Sequence, residues 1–169
     1  ADVSYSAQTA ADQTGQEIVG GGDFNGDGIG DLVVSARYYS GTLSYAGRVY
    51  LIFGSRDAAW SASLSTADVI VTGSTAVLYL GSSLGPLIDL DGDGLDDLVI
   101  GASSADERET NAGALYVFRG GRTGTTLTEA DADLFIVGQN YGNAAGGRVE
   151  APGDVNADGY QDLLVTAGS

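Results

Sequence analysis

The chain has 169 residues, 43% of them hydrophobic, with 27 glycines and 2 prolines, enough for one domain with a core. Its 23 acidic residues face 7 basic ones, all Arg, for a formal net charge of −16. That balance excludes nucleic acid as a partner, because phosphate neutralisation needs a basic patch. No apolar run approaches the ~20 residues of a membrane span, and the absence of Cys, His and Lys removes thiol, triad and Schiff-base chemistry. Met is absent too, so Ala1 is read as lying downstream of a signal peptide or of further protein.

Short apolar, β-branched and aromatic runs bounded by Gly, Asp and Ser are strand signals, and they recur along the whole chain. Asp2–Ala7 predicts a strand, followed by Gln16–Gly22, an acidic loop over 23–31 and a strand over Asp31–Ala36. A tyrosine-bearing loop, Arg37–Ala46, leads to Arg48–Phe53. The connection 54–66 holds Trp60 as a local anchor, and Val69–Thr72 completes the set. The series then restarts with part of Val77–Ile88, an acidic loop over 89–97, Asp97–Ala102, the charged loop Ser103–Ala112, Ala114–Phe118 and Leu134–Val137. A third series opens with Arg148–Gly153, an acidic loop over 154–162 and Asp162–Ala167.

The spacing is regular. The loops begin at Asp23, Asp89 and Asp154, 66 and then 65 residues apart. An Ala-Asp pair before an apolar residue recurs at Asp2, Asp68 and Asp133, each 21 residues ahead of the next loop. Gly47 and Gly113 each follow their loop's first Asp by 24 residues. A four-strand unit in tandem predicts an all-β fold of β-propeller blades, each of four antiparallel strands; a solenoid of four-strand rungs is the alternative. The chain is then a single β-propeller segment over 1–169. Residues 1–7 are the last strand of a preceding blade, 8–72 and 73–137 are complete repeats, and 138–169 is a partial one. Propellers typically need four to eight blades to close, so the ring is expected to be incomplete, or completed by further repeats or by other copies of the chain.

Each acidic loop places side-chain oxygens at positions 1, 3, 5 and 9, with Gly at position 6 for the sharp turn. The first offers Asp23, Asn25, Asp27 and Asp31, the second Asp89, Asp91, Asp93 and Asp97, the third Asp154, Asn156, Asp158 and Asp162. The position-7 carbonyls of Ile29, Leu95 and Tyr160 add an oxygen each. Six or seven hard oxygens without nitrogen or sulfur select Ca²⁺, about three ions in all, whereas Mg²⁺ prefers a smaller octahedral shell that keeps its waters. Asx turns without metal are the alternative, but three sets of crowded carboxylates would repel strongly without a cation. An EF-hand is excluded, because position 12 is Val34, Ile100 or Val165 rather than Glu.

These loops, the following Asp-Leu-Val-Val-like strand and the run Gly47-Arg-Val-Tyr-Leu-Ile-Phe-Gly54 resemble the FG-GAP repeat of integrin α-subunit propellers and of many bacterial secreted proteins. The resemblance implies seven blades in a complete ring, Ca²⁺ in the hairpin between the first two strands of a blade, and adhesive or ligand-binding roles. The Gly-Ala-Pro element reads Ser35-Ala36-Arg37, Gly101-Ala102-Ser103 and Thr166-Ala167-Gly168, and the Phe-Gly element is placed at Val19-Gly20, Leu80-Gly81 and Ala145-Gly146. Those departures point to a divergent, bacterial-type member.

Two carboxylates would suffice for a glycosidase, but most of the Asp residues already belong to loops, so no enzyme is expected. The expected function is an extracellular or secreted calcium-binding adhesion or interaction module; a structural, self-assembling stalk or sheath is the alternative. Arg37, Tyr38, Tyr39 and Tyr45 are the candidate partner-binding residues, because Tyr and Arg are enriched at protein interfaces and Tyr also stacks on sugars. The partner is then a protein or glycan ligand, with other copies or remaining blades of the same protein alongside. Covering a neighbouring blade is the competing role for these tyrosines. The extracellular setting follows from millimolar calcium filling weak sites.

Overall fold

A computed structural model describes residues 10–56 and 63–168; the expected strand Asp2–Ala7 and Trp60 lie outside the described residues. The first blade runs β1 (Ile18–Gly20), β2 (Leu32–Ala36), β3 (Arg48–Ile52) and β4 (Val69–Thr72), each antiparallel to the one before. The second runs β5 (Ser83–Leu84), β6 (Leu98–Ala102), β7 (Ala114–Phe118) and, after β8 (Thr125–Thr128), β9 (Leu134–Val137), which pairs with β7. A third sheet holds β10 (Val149–Gly153) and β11 (Asp162–Val165). The fold is all-β, and these sheets do not close a ring.

The strands read as continuous apolar runs because both of their faces are covered, those of the second blade by a sheet on either side and the outer face of the first by its own Leu64 and Tyr39. Side chains alternate across a strand. In β2 and β3, Val33, Val49 and Leu51 join a core shared with the second blade, while Val34, Tyr50 and Ile52 face the other side. In β6 and β7, Leu98, Ile100, Tyr116 and Phe118 meet that shared core from the second blade, and Val99, Leu115 and Val117 turn toward Val149 and the third sheet. Packing of blade on blade is therefore the main apolar burial.

Two of the differences from the sequence reading have local causes. Only Ser83 and Leu84 of the expected 77–88 segment form a strand, bounded by Gly81 at φ +83° and by Gly85 and Pro86. The polar segment β8 makes a fifth strand on the first blade, parallel to β4 and registered Val69 to Thr125 through Thr72 to Thr128. Its Thr residues show no apolar alternation, so it carries no half-buried strand signal. Glu129, immediately after β8, is buried and accepts bonds from the Ser74 N–H at 2.8 Å and the Ser74 hydroxyl at 2.5 Å. Through the pairing of β8 with β4 the second repeat grips the first.

The recurring small residues have physical reasons. A Cβ on Gly47 would sit 2.3 Å from the Leu80 nitrogen, and one on Gly113 2.3 Å from the Ala145 nitrogen. Both are parallel bridges between one blade and the segment that opens the next. The recurring Asp ties off the third strand: Asp68 accepts the Phe53 N–H at 2.8 Å, and Asp133 accepts that of Arg119 at 2.8 Å. The Phe-Gly element of the first repeat lies at Thr14-Gly15, and not at Val19-Gly20. Gly15, Gly81 and Gly146 share positive φ (+86°, +83°, +76°). All three donate to the end of the second strand, accepted by Ser35, Gly101 and Thr166. Gly20 instead lies inside β1.

Candidate functional site

Each acidic loop joins the first two strands of a blade at one end of the sheet: 23–31 between β1 and β2, 89–97 between β5 and β6, 154–162 between β10 and β11. The first Asp nucleates the turn. Asp23 accepts the N–H groups of Gly26, Asp27 and Gly28 at 2.8, 3.0 and 2.7 Å. Asp89 accepts those of Gly92 and Gly94 at 2.7 and 3.0 Å, and Asp154 those of Asp158 and Gly159 at 3.1 and 2.9 Å. Positions 3 and 5 repeat the motif two residues on. Asn25, Asp91 and Asn156 accept from Asp27, Asp93 and Asp158, which in turn accept from Ile29, Leu95 and Tyr160. The position-6 glycines have φ of +79°, +90° and +95°, a region that L side chains rarely enter.

Position 9 has a second task. Asp31 and Asp97 are buried, 2% and 1% exposed. Asp31 accepts the Phe24 N–H at 2.9 Å and the Gly54 N–H at 2.8 Å; Asp97 accepts those of Leu90 and Gly120, both at 3.0 Å. Each carboxylate thus pins its loop to the end of the third strand, 23 residues further along. Asp162, half-buried, accepts the Val155 N–H at 2.8 Å. Burial pushes the Asp31 and Asp97 carboxyls above the ordinary Asp range, their backbone hydrogen bonds pull them back, and the neighbouring loop carboxylates push them up again.

Oxygens of Asp89, Asp91 and Asp97 all lie within 4.8 Å of one another. This is an all-oxygen donor set of the kind that hard divalent cations take. The first and third loops carry Asn at position 3 and so one carboxylate fewer. Arg119 offsets part of the second loop's excess charge through a 3.1 Å pair with Asp91.

At the opposite end of β2 the loops differ between blades. Tyr38 and Tyr45 meet Tyr79, a residue the sequence reading did not single out, with ring centroids 6.0 Å apart for Tyr38–Tyr45, 5.5 Å for Tyr38–Tyr79 and 5.8 Å for Tyr45–Tyr79. The Arg37 guanidinium lies 4.5 Å over the Tyr38 ring and donates to its hydroxyl. Tyr39 points elsewhere: it packs against Val34 and Tyr50 on the far side of the first blade, under Arg48 at 3.7 Å. Tyr45 and Tyr79 sit at φ of +53° and +52°. The corresponding residues of the second blade, Asn111 and Ala144, share that backbone (+52°, +48°) but carry no ring. Tyr79 escaped notice because it lies in the segment between blades, and only the bonds pairing 77–80 with 44–46 bring it to Tyr45.

Antiparallel blades that each carry an acidic hairpin loop define a β-propeller repeat protein. Residues 14–52, 80–118 and 146–169 match the FG-GAP repeat, and the chain belongs to that family. Human integrin alpha-IIb is 32% identical over 152 residues, 86% of this chain and 14% of that protein. Integrin alpha-5 of Xenopus laevis is 31% identical over 155 residues, again 86% and 14%. Phosphatidylinositol-glycan-specific phospholipase D of Rattus norvegicus is 36% identical over 155 residues, 89% of this chain and 18% of the relative. The chain therefore spans less than a fifth of the length of these curated relatives.

Proposed function

We propose that the chain is a calcium-rigidified interaction module that works outside cells and binds rather than catalyses. Ca²⁺ is held by Asp23, Asn25, Asp27, the Ile29 carbonyl and Asp31; by Asp89, Asp91, Asp93, the Leu95 carbonyl and Asp97; and by Asp154, Asn156, Asp158, the Tyr160 carbonyl and Asp162. The observation that carries this reading is one oxygen-only loop recurring at three hairpins, with carboxylates converging within 4.8 Å in the second. Calcium supplies charge neutralisation there. The chain's own backbone N–H groups hold every position-1 carboxylate within its turn.

The binding face lies at the other end of the blades, where Tyr38, Tyr45 and Tyr79 cluster beside Arg37. Tyr39 supports this face through the first blade and does not contact the ligand. Tyr45 stands 47% exposed in this cluster, and Tyr and Arg are the residue types enriched at protein interfaces. The integrin subunits among the relatives agree with adhesion. The phospholipase D relative shares the repeat with this chain. Protein and glycan arrays probed in calcium test the reading. The wild-type chain gives hits that Tyr45→Asn and Tyr79→Ala remove; identical hits with both variants would overturn the assignment of this face.

A self-assembling scaffold is the second reading, favoured by one observation. Leu134 on β9 is 55% exposed and Phe135 61%, whereas Val69, the residue corresponding to Leu134 in the first blade, is 0% exposed beneath the second. A rise in molecular mass on adding calcium would favour that reading.

A further inference from the structure

The acidic loops of the first two blades touch, and the residue that joins them is outside the ligand set. Asp96, at position 8 of the second loop, holds Asp23, the opening residue of the first, from both sides. Its carboxylate accepts the Asp23 N–H at 2.6 Å, and its own N–H donates to the Asp23 carbonyl at 3.1 Å. Gly22 makes this approach feasible, since a Cβ there would lie 2.3 Å from the Leu87 Cβ and 2.7 Å from the Asp96 carboxylate.

A second link runs beside it. Asp97 accepts the Gly120 N–H at 3.0 Å, the next residue's N–H reaches the Phe24 carbonyl at 2.6 Å, and the Phe24 N–H donates to Asp31 at 2.9 Å. Position 9 of the second loop is thus connected to position 9 of the first through two short backbone steps, with Phe24 fully buried between the blades. The loops also stack. A Cβ on Gly26 would meet the Leu95 side chain at 2.7 Å, and one on Gly92 would meet the Tyr160 ring at 2.9 Å. The carboxylate at position 8 is particular to the second loop, because the first has Gly30 there and the third Gln161.

We propose that Asp96 is a positioning residue that makes cation binding by the first and second loops positively cooperative. This rests on the calcium reading above. An ion in either loop fixes the Asp23–Phe24 backbone against Asp96 and Gly120–Gly121, so the ion in the other loop meets a loop that is already ordered. Coupling of this kind is reciprocal, and the two affinities rise by the same factor.

The test is calorimetric titration of Ca²⁺ into the chelator-stripped full chain carrying Asp158→Ala, which leaves the first two loops. Two ions bind with a Hill coefficient above 1, the second about fivefold or more tighter than the first after statistical correction. Adding Asp96→Ala returns the coefficient to 1 with two ions still bound. Adding Asp96→Asn, which keeps an acceptor for the Asp23 N–H, retains cooperativity. Because removing a negative charge weakens both sites together, the coefficient and not the affinity is decisive. Two ions binding independently whether or not Asp96 is present would overturn the coupling and leave the calcium reading intact. Binding of no ion would overturn both.

Discussion

The two ends of the blades have diverged differently. At one end the acidic loops repeat almost residue for residue, down to the hydrogen bonds by which Asp23, Asp89 and Asp154 organise their turns. At the other, the same backbone, with the same positive φ at Tyr45 and Asn111, displays an aromatic cluster in one blade and small or charged side chains in the next. The first end repeats because every blade makes the same hairpin turn around its first Asp. The second is free to vary, because Gly47 and Gly113 fix the path of the chain without specifying the side chains around it. On the function proposed above, stability belongs to the first end and recognition to the second.

That division breaks most visibly at the buried position-9 carboxylates. Asp97→Ala removes a proposed cation ligand and orphans the Leu90 and Gly120 N–H groups, so about 3 kcal/mol or more is lost in calcium by urea denaturation. The exposed Asp93→Ala costs within about 1 kcal/mol in chelator, where only a local turn bond is lost. Equal losses for the two in chelator would remove the structural task assigned to position 9.

The acid dependence is smaller. The Asp31 and Asp97 carboxyls lie above the ordinary range, so the folded chain binds those protons more tightly than the unfolded one. Metal-free stability therefore falls as pH rises through their folded pKa. Stripped of calcium, the chain loses stability from these two carboxyls as pH rises above the ordinary Asp range and through theirs. Asp131, Asp133 and Asp158, held below the ordinary range, are ionised in both states across that window and leave the difference alone. Calcium reverses the trend, because protons compete with the ion for the same oxygens. A metal-free melt that rises with pH over this range would contradict the assigned burial.

The smallest stability change is expected at the recognition end. Tyr45→Asn gives this position the residue found in the second blade. Relief of a strained backbone offsets the lost ring contacts, and stability moves by less than about 1 kcal/mol. Chemical denaturation of the variant checks this; a large loss would make the tyrosines structural.

Much of this was legible in the sequence because blade packing and the acidic hairpin turns both write periodic patterns. β4, β7 and β9 have the expected boundaries, and all three acidic loops fall at hairpins between first and second strands. What escaped was set by contacts between repeats. β8 forms because β4 offers an open edge, and its Thr-rich sequence shows no apolar alternation. Tyr79 and Asp96 acquire their roles only when the second repeat is laid against the first. Gly15 was displaced by Gly20 in the reading because both lie near the first strand, and only positive φ and the shared bond to the second strand tell them apart.

The most direct test of the central claim is calorimetric titration of Ca²⁺ into the chelator-stripped wild-type chain, with the melting temperature followed alongside. The account predicts about three ions bound and a clear rise in melting temperature, since a ligand held only by the folded state stabilises it. No heat of binding and an unchanged melt would contradict it.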